Sequence, residues 1–144
     1  MTEPKQSPAP KPMPKGDSFV RTIQQWVVDY GYKIAVDGLK GPETRKGITM
    51  VYQNELNKQF KAGLVVDGIL GPKTYYAARN VRKGAKGNLT HVLQALLYIA
   101  GKDPKGFDGV FGDNTEKAVR AFQGAKGLGV DGIAGKNTWR ALLQ

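Results

Sequence analysis

Four aspartates, Asp37, Asp67, Asp108 and Asp131, each stand directly before a glycine: Gly38, Gly68, Gly109 and Gly132. Two carboxylates at a defined separation can serve as acid and base on a glycosidic bond, so the aspartates raise a hydrolase reading. Their surroundings argue against it. Each heads one phrase, apolar-Asp-Gly-x-x-Gly-x-x-Thr, at 36–44, 66–74, 107–115 and 130–138, closing on Thr44, Thr74, Thr115 and Thr138. A residue repeated four times in one local setting does one local job, and Asp readily accepts from nearby backbone amides. The four are therefore read as structural turn residues, and no catalytic residue is assigned. The glutamates Glu3, Glu43, Glu55 and Glu116 fall in a linker or on helix positions expected to face solvent. With no cysteine and one histidine, His91, the chain lacks the ligands of a thiolate or imidazole metal site, and no metal or cofactor is expected. His91, on a short polar edge, is read as solvated.

Groups that could bind are easier to find than groups that could react. Gln24, Gln53, Gln94 and Gln123 lie beside apolar helix positions, at corresponding places of the two chain halves. A half-buried glutamine can fasten a backbone turn or offer its amide to a glycan or peptide, and both uses stay open at this point. Exposed aromatic faces suit sugar rings, and Tyr30, Tyr32, Tyr75, Tyr76 and Tyr98 are the surface candidates, whereas Trp26 and Trp139 sit on apolar helix faces and are expected to fill cores. Gln24, Tyr30, Tyr32, Gln53, Gln94, Tyr98, Asn114 and Gln123 make up the candidate ligand set, on the rim of the turns.

The elements that must hold these residues follow from periodicity. Phe19, Ile23, Trp26, Val27 and Tyr30 trace a helical face, as do Leu89, Val92, Leu93, Leu96 and Leu97. Ile48, Val51, Tyr52, Leu56 and Phe60 mark a central helix in the first half, and Ala118, Val119 and Phe122 a shorter one in the second. Third helices are expected from Pro72 to about Arg82 and from Lys136 to Leu143. The phrase itself writes a turn and a helix start: Asp-Gly permits positive φ, the second glycine enters the helix, and Pro42 and Pro72 take the first helical position. The expected fold class is all-α, with two three-helix modules, residues 17–83 and 84–144, no sheet beyond isolated bridges, and a Pro/Lys-rich linker at 1–16.

The net charge of +10 favours polyanionic surroundings but is spread along the chain, without a dense basic run beside base-reading residues, so no specific nucleic acid is expected. No apolar run reaches membrane-spanning length, and residues 1–16 lack the apolar stretch of a signal peptide. No membrane partner is expected.

Leu93-Gln94, Phe122-Gln123 and the paired Asp-Gly turns of the second half resemble the type 1, three-helix peptidoglycan-binding domain, found in tandem in cell-wall hydrolases. The first half departs from that pattern, with Ile23-Gln24 and Tyr52-Gln53 in place of Leu-Gln and Phe-Gln and a longer central helix. The resemblance implies non-catalytic binding of bacterial peptidoglycan, targeting a wall hydrolase to its substrate. It further implies a Gram-positive setting, a bacteriophage endolysin released through a holin, action at the cell wall, and the parent catalytic domain or full-length lysin as partner. An assembly subunit of that lysin and a small wall-cleaving enzyme are the alternatives. Duplication across a short junction predicts that the two modules act together through avidity.

Overall fold

The structure, a computed structural model, describes residues 16–144. Most of the linker expected at 1–16 lies outside the described residues. Six helices follow in order: α1 (Ser18–Tyr30), α2 (Pro42–Phe60), α3 (Pro72–Ala77), α4 (Asn88–Ile99), α5 (Asp113–Ala125) and α6 (Lys136–Leu143). Strand pairing among the described residues is confined to the isolated bridges Val81–Ala134 and Lys86–Val110. The all-α expectation therefore holds, with two tandem helical repeats.

Local chemistry explains where the helices begin. Asp17 caps α1, its Oδ1 accepting from the amides of Phe19 and Val20 at 2.7 and 3.3 Å. The N-caps of α2, α3, α5 and α6 are Gly41, Gly71, Gly112 and Gly135, the second glycine of each phrase, and Pro42 and Pro72 occupy the first turn of their helices. The first glycine of each phrase has φ between 73 and 75°. At Gly109 a side chain would also strike the His91 ring, which lies flat against the glycine.

One expected boundary moves. The third helix of the first half stops at Ala77 instead of running to Arg82, because Ala78 is extended at φ −57° and ψ 141°. The released backbone pairs elsewhere: the Val81 amide donates to the Ala134 carbonyl at 3.0 Å, the Val81 carbonyl accepts from the Ala134 amide at 2.8 Å, and the Trp139 indole donates to the Arg79 carbonyl at 3.0 Å. This segment fastens the first repeat to the last helix of the second.

The apolar faces meet in a single cluster. It takes Ile23 and Val27 from α1, Ile48, Val51, Tyr52 and Leu56 from α2, Leu93 and Leu97 from α4, Val119 and Phe122 from α5, and Trp139 and Leu142 from α6. Helices α2 and α4 pack on each other at its centre. Two separate small cores were expected; instead, the repeats bury their apolar faces partly against each other.

Candidate functional site

Each of the four turns is held by a glutamine from the preceding long helix. Gln24 is representative. Its Nε2 donates to Asp37 Oδ1 at 2.9 Å, to the Leu39 carbonyl at 3.2 Å and to Thr44 Oγ1 at 2.9 Å. Its Oε1 accepts from the amides of Asp37 and Gly38 at 2.9 and 2.8 Å. Asp37 Oδ1 then accepts from the Leu39 amide at 3.0 Å. The same bonds recur around Gln53 with Asp67, Ile69 and Thr74, and around Gln123 with Asp131, Ile133 and Thr138. Around Gln94 the set is Asp108, Val110 and Thr115, with the Gly109 amide donating to Oε1. The repeating unit is thus helix, turn and next helix start, tied by one Gln-Asp-Thr triad.

Of the two uses left open for the glutamines, this geometry shows the fastening of a turn. All four are 1% exposed, and both ends of each amide are engaged within the turn. Gln24, Gln53, Gln94 and Gln123 fasten the four turns. The aspartates are equally occupied. Backbone amides at Leu39, Ile69, Val110 and Ile133, followed by the glutamine amides, hold the carboxyls of Asp37, Asp67, Asp108 and Asp131 below the ordinary carboxylate range. They stay charged near neutrality and have no proton to give.

Beside one of these triads, a cleft lies where the turn rim was expected to bind. A hollow of about 180 Å³ beside the first turn of the second repeat is lined by Pro104, Lys105, Asp108, Val110, Asp113 and Asn114, with Gln94 at its base. Asn114 is exposed there, in the first turn of α5. Lys105 stands on its wall at a positive φ of 60°, and Asp113 is paired with Lys83. Tyr98 and Gln123 do not join Gln94 and Asn114 in this cleft.

Tyr30 and Tyr32 are engaged within the first repeat, and Tyr98 and Tyr76 meet residues of the other repeat. Tyr30 donates its hydroxyl to Glu55 Oε2 at 2.5 Å and stacks on Tyr32 at 5.9 Å. Burial and the Glu55 carboxylate both push the Tyr30 hydroxyl above its usual range, and burial does the same for Tyr32. Tyr98 stacks on Phe19 at 4.1 Å and donates to Asp17, and the Asp17 carboxylate, with burial, raises its pKa to about 12. Tyr76 is the exposed member at 70%, with Lys136 over its ring.

Three sequence expectations are corrected here. Glu55 is buried instead of facing solvent: it also accepts from Gln59 at 2.7 Å and from Asn88 at 3.1 Å, with Lys58 at 3.8 Å. Burial opposes its charge, but the bonds from Tyr30, Gln59 and Asn88 outweigh burial and hold its pKa below the usual value. His91 is not solvated; it stacks on Trp26 at 5.3 Å and meets Phe107 edge-on at 4.8 Å. Burial lowers its pKa, so the ring is neutral. Trp26 is half-buried on this seam instead of filling a core, whereas Trp139 is 1% exposed, as expected of a core residue. The Glu55 link had no sequence signal, because Asn88 lies 33 residues away.

The chain matches the family model "Putative peptidoglycan binding domain" twice, over residues 16–77 and 86–142. It is 34% identical over 138 residues to the uncharacterized protein YbfG of Bacillus subtilis, covering 88% of this chain and 18% of that one. It is 33% identical over 153 residues to the N-acetylmuramoyl-L-alanine amidase CwlL of Bacillus licheniformis, covering 84% of this chain and 41% of that one. A crystal structure of a peptidoglycan-binding protein from Clostridioides difficile in complex with glutamine hydroxamate is 39% identical, covers 44% of this chain and 40% of that chain, and has a TM-score of 0.43. The chain spans less than half the length of the curated relatives it matches.

Proposed function

The chain belongs to the peptidoglycan-binding domain family, and from that premise we propose that it is a non-catalytic anchor, holding an attached or associated wall hydrolase on bacterial peptidoglycan. The observation that carries this reading is the use of the four turn carboxylates. Each is tied to backbone amides and a buried glutamine, which suits a rigid rim for recognition and leaves no pair poised for acid-base chemistry. Asn114, exposed in the second-repeat cleft that Lys105 also lines, is a group on that rim placed to meet wall material. Similarity to a Bacillus licheniformis amidase more than twice as long supports a hydrolase as the attached activity. An endolysin of a phage of Gram-positive hosts, acting at the wall after release through a holin, is the form of parent protein this reading carries.

A sacculus pull-down run beside a turbidity-clearing assay tests the proposal. Retention on purified sacculi without clearing is the expected result. Clearing by the chain alone, or failure to be retained, overturns it.

A further inference from the structure

Beside the third turn, the seam between the repeats carries a groove that neither repeat could form alone. Phe19 and Trp26 reach it from α1, His91 from α4, and Phe107 from the loop after α4. Two adjoining hollows of about 430 and 360 Å³ share Thr22 and Phe107 as walls. Phe107 stands perpendicular to Trp26 at 5.4 Å and edge-on to Phe19 at 6.2 Å. All four rings are half-buried, so they line the groove without closing it.

The polar side chains of the groove come from α1 as well. Gln25 donates Nε2 to Asp29 Oδ1 at 2.9 Å, which orients both exposed side chains. Asp29 Oδ2 and Gln25 Oε1 are left as acceptors, and the second Nε2 hydrogen as a donor. Thr22 donates to the Ser18 carbonyl at 3.1 Å and keeps its oxygen as an acceptor. Aromatic faces beside a row of acceptors match a sugar ring, whose C–H face is apolar and whose hydroxyls donate.

Charge narrows the occupant further. The chain carries +10, yet among the described residues no lysine or arginine lines either hollow, and Asp29 is the one acidic residue there. Burial keeps His91 neutral. Such a groove disfavours teichoic phosphates and the carboxylates of stem peptides, and accepts a neutral glycan.

We infer that the seam groove binds the N-acetylated glycan strand of peptidoglycan, by stacking a sugar ring on Trp26, with Phe107 standing perpendicular beside it, and fixing its hydroxyls through Gln25 and Asp29. The inference rests on the peptidoglycan-anchor reading and names the part of the polymer recognised.

The experiment is an NMR titration of the full chain with an N-acetylglucosamine tetramer, and separately with a free stem peptide, beside sacculus retention. The tetramer is expected to move the Trp26 indole N–H and the amides of Thr22, Gln25, Asp29 and Phe107, saturably, while the stem peptide leaves them in place. Gln25→Ala and Asp29→Ala, both exposed, should each weaken tetramer binding about fivefold, the loss of one hydrogen bond, with an unchanged unfolding midpoint. If wild-type protein is retained on sacculi but the tetramer shifts only the cleft at Lys105–Asn114, or nothing, the glycan inference is overturned and the anchor reading stands. If wild-type protein is not retained at all, both fall.

Discussion

A buried glutamine that closes a turn is a single side chain whose loss exposes several partners at once. In Gln94→Ala the Gly109 amide, the Val110 carbonyl and Thr115 Oγ1 each lose a bond inside a site that water does not reach freely. A cost of about 3 kcal/mol is expected from that many unmet groups, read as a lower midpoint in urea, while Asn114→Ala on the exposed rim should stay within about 0.5 kcal/mol of wild type. Tyr52 is the opposite case. It is 1% exposed and packs on Trp139 at 4.6 Å, but its hydroxyl has no hydrogen-bond partner. The corresponding place in the second repeat is Phe122, next to Gln123 as Tyr52 is next to Gln53. Tyr52→Phe removes an unsatisfied buried group and should stabilise the chain by about 1 kcal/mol; a midpoint that falls would mean the hydroxyl has a partner in solution. The departure Tyr52-Gln53 from the family's Phe-Gln is therefore a local cost in packing. The turn geometry around Gln53 is unaffected by it.

Turns as elements carry the pH dependence. The carboxyls of Asp37, Asp67, Asp108 and Asp131 lie below their unfolded value of 3.8, chiefly through backbone amides, so the folded state binds fewer protons than the unfolded one as pH falls past that value. Their contribution is fully present above about pH 3.8 and is lost as pH drops through the folded values. His91 acts in a higher window with the same sign: burial depresses its pKa below 6.5, so stability declines as pH falls below 6.5 until the folded ring protonates. Thermal unfolding followed by circular dichroism should therefore show a small loss below pH 6.5 and a steeper one below 3.8, and His91→Phe should remove the first step only. A flat profile between pH 7 and 3 would contradict both assignments. How much of an element is legible in sequence depends on how local its bonds are. Asp, Gly, Pro and Thr lie within nine residues of one another, so the turns and helix starts could be read directly. The glutamine partner is 13 or 14 residues upstream in three units and 8 in the fourth. The shared spacing of three units was a signal, but only a folded turn shows that the amide closes it. The early end of α3 was illegible, because Val81 continues an apolar pattern while its backbone pairs with Ala134.

At the scale of the whole molecule, periodicity shows which face of a helix is apolar but not which helix covers it. The sequence therefore yields two repeats and stays silent on their shared core. The bonds across the seam are varied. Tyr52 of α2 packs on Trp139 of α6, Glu55 accepts from Tyr30 of its own repeat and Asn88 of the other, Tyr98 donates to Asp17, and the Arg45 guanidinium reaches the Leu142 carbonyl at 2.7 Å. A large apolar side chain withdrawn from water is worth about 1.5 to 3 kcal/mol, and whole domains hold only about 5 to 15 kcal/mol in total. Exposing Tyr52, Trp139 and their neighbours, and leaving the Glu55 charge without Asn88, would consume most of that margin for units of some sixty residues. Residues 17–83 and 84–144 made separately are thus expected to melt broadly and well below the joined chain, and to recover cooperative unfolding when mixed. If residues 84–144 alone give a dispersed NMR spectrum and the melting midpoint of the whole, the repeats are independent and the shared core is not what stabilises them. The outcome also decides how two repeats can add affinity. Independent modules on a tether gain from high effective concentration at a second site, but a rigid pair gains only where the spacing of wall epitopes matches its own. For the rigid pair, lengthening the junction at Gly84–Gly87 with flexible residues should lower stability and sacculus retention together, whereas for tethered modules it would leave stability unchanged.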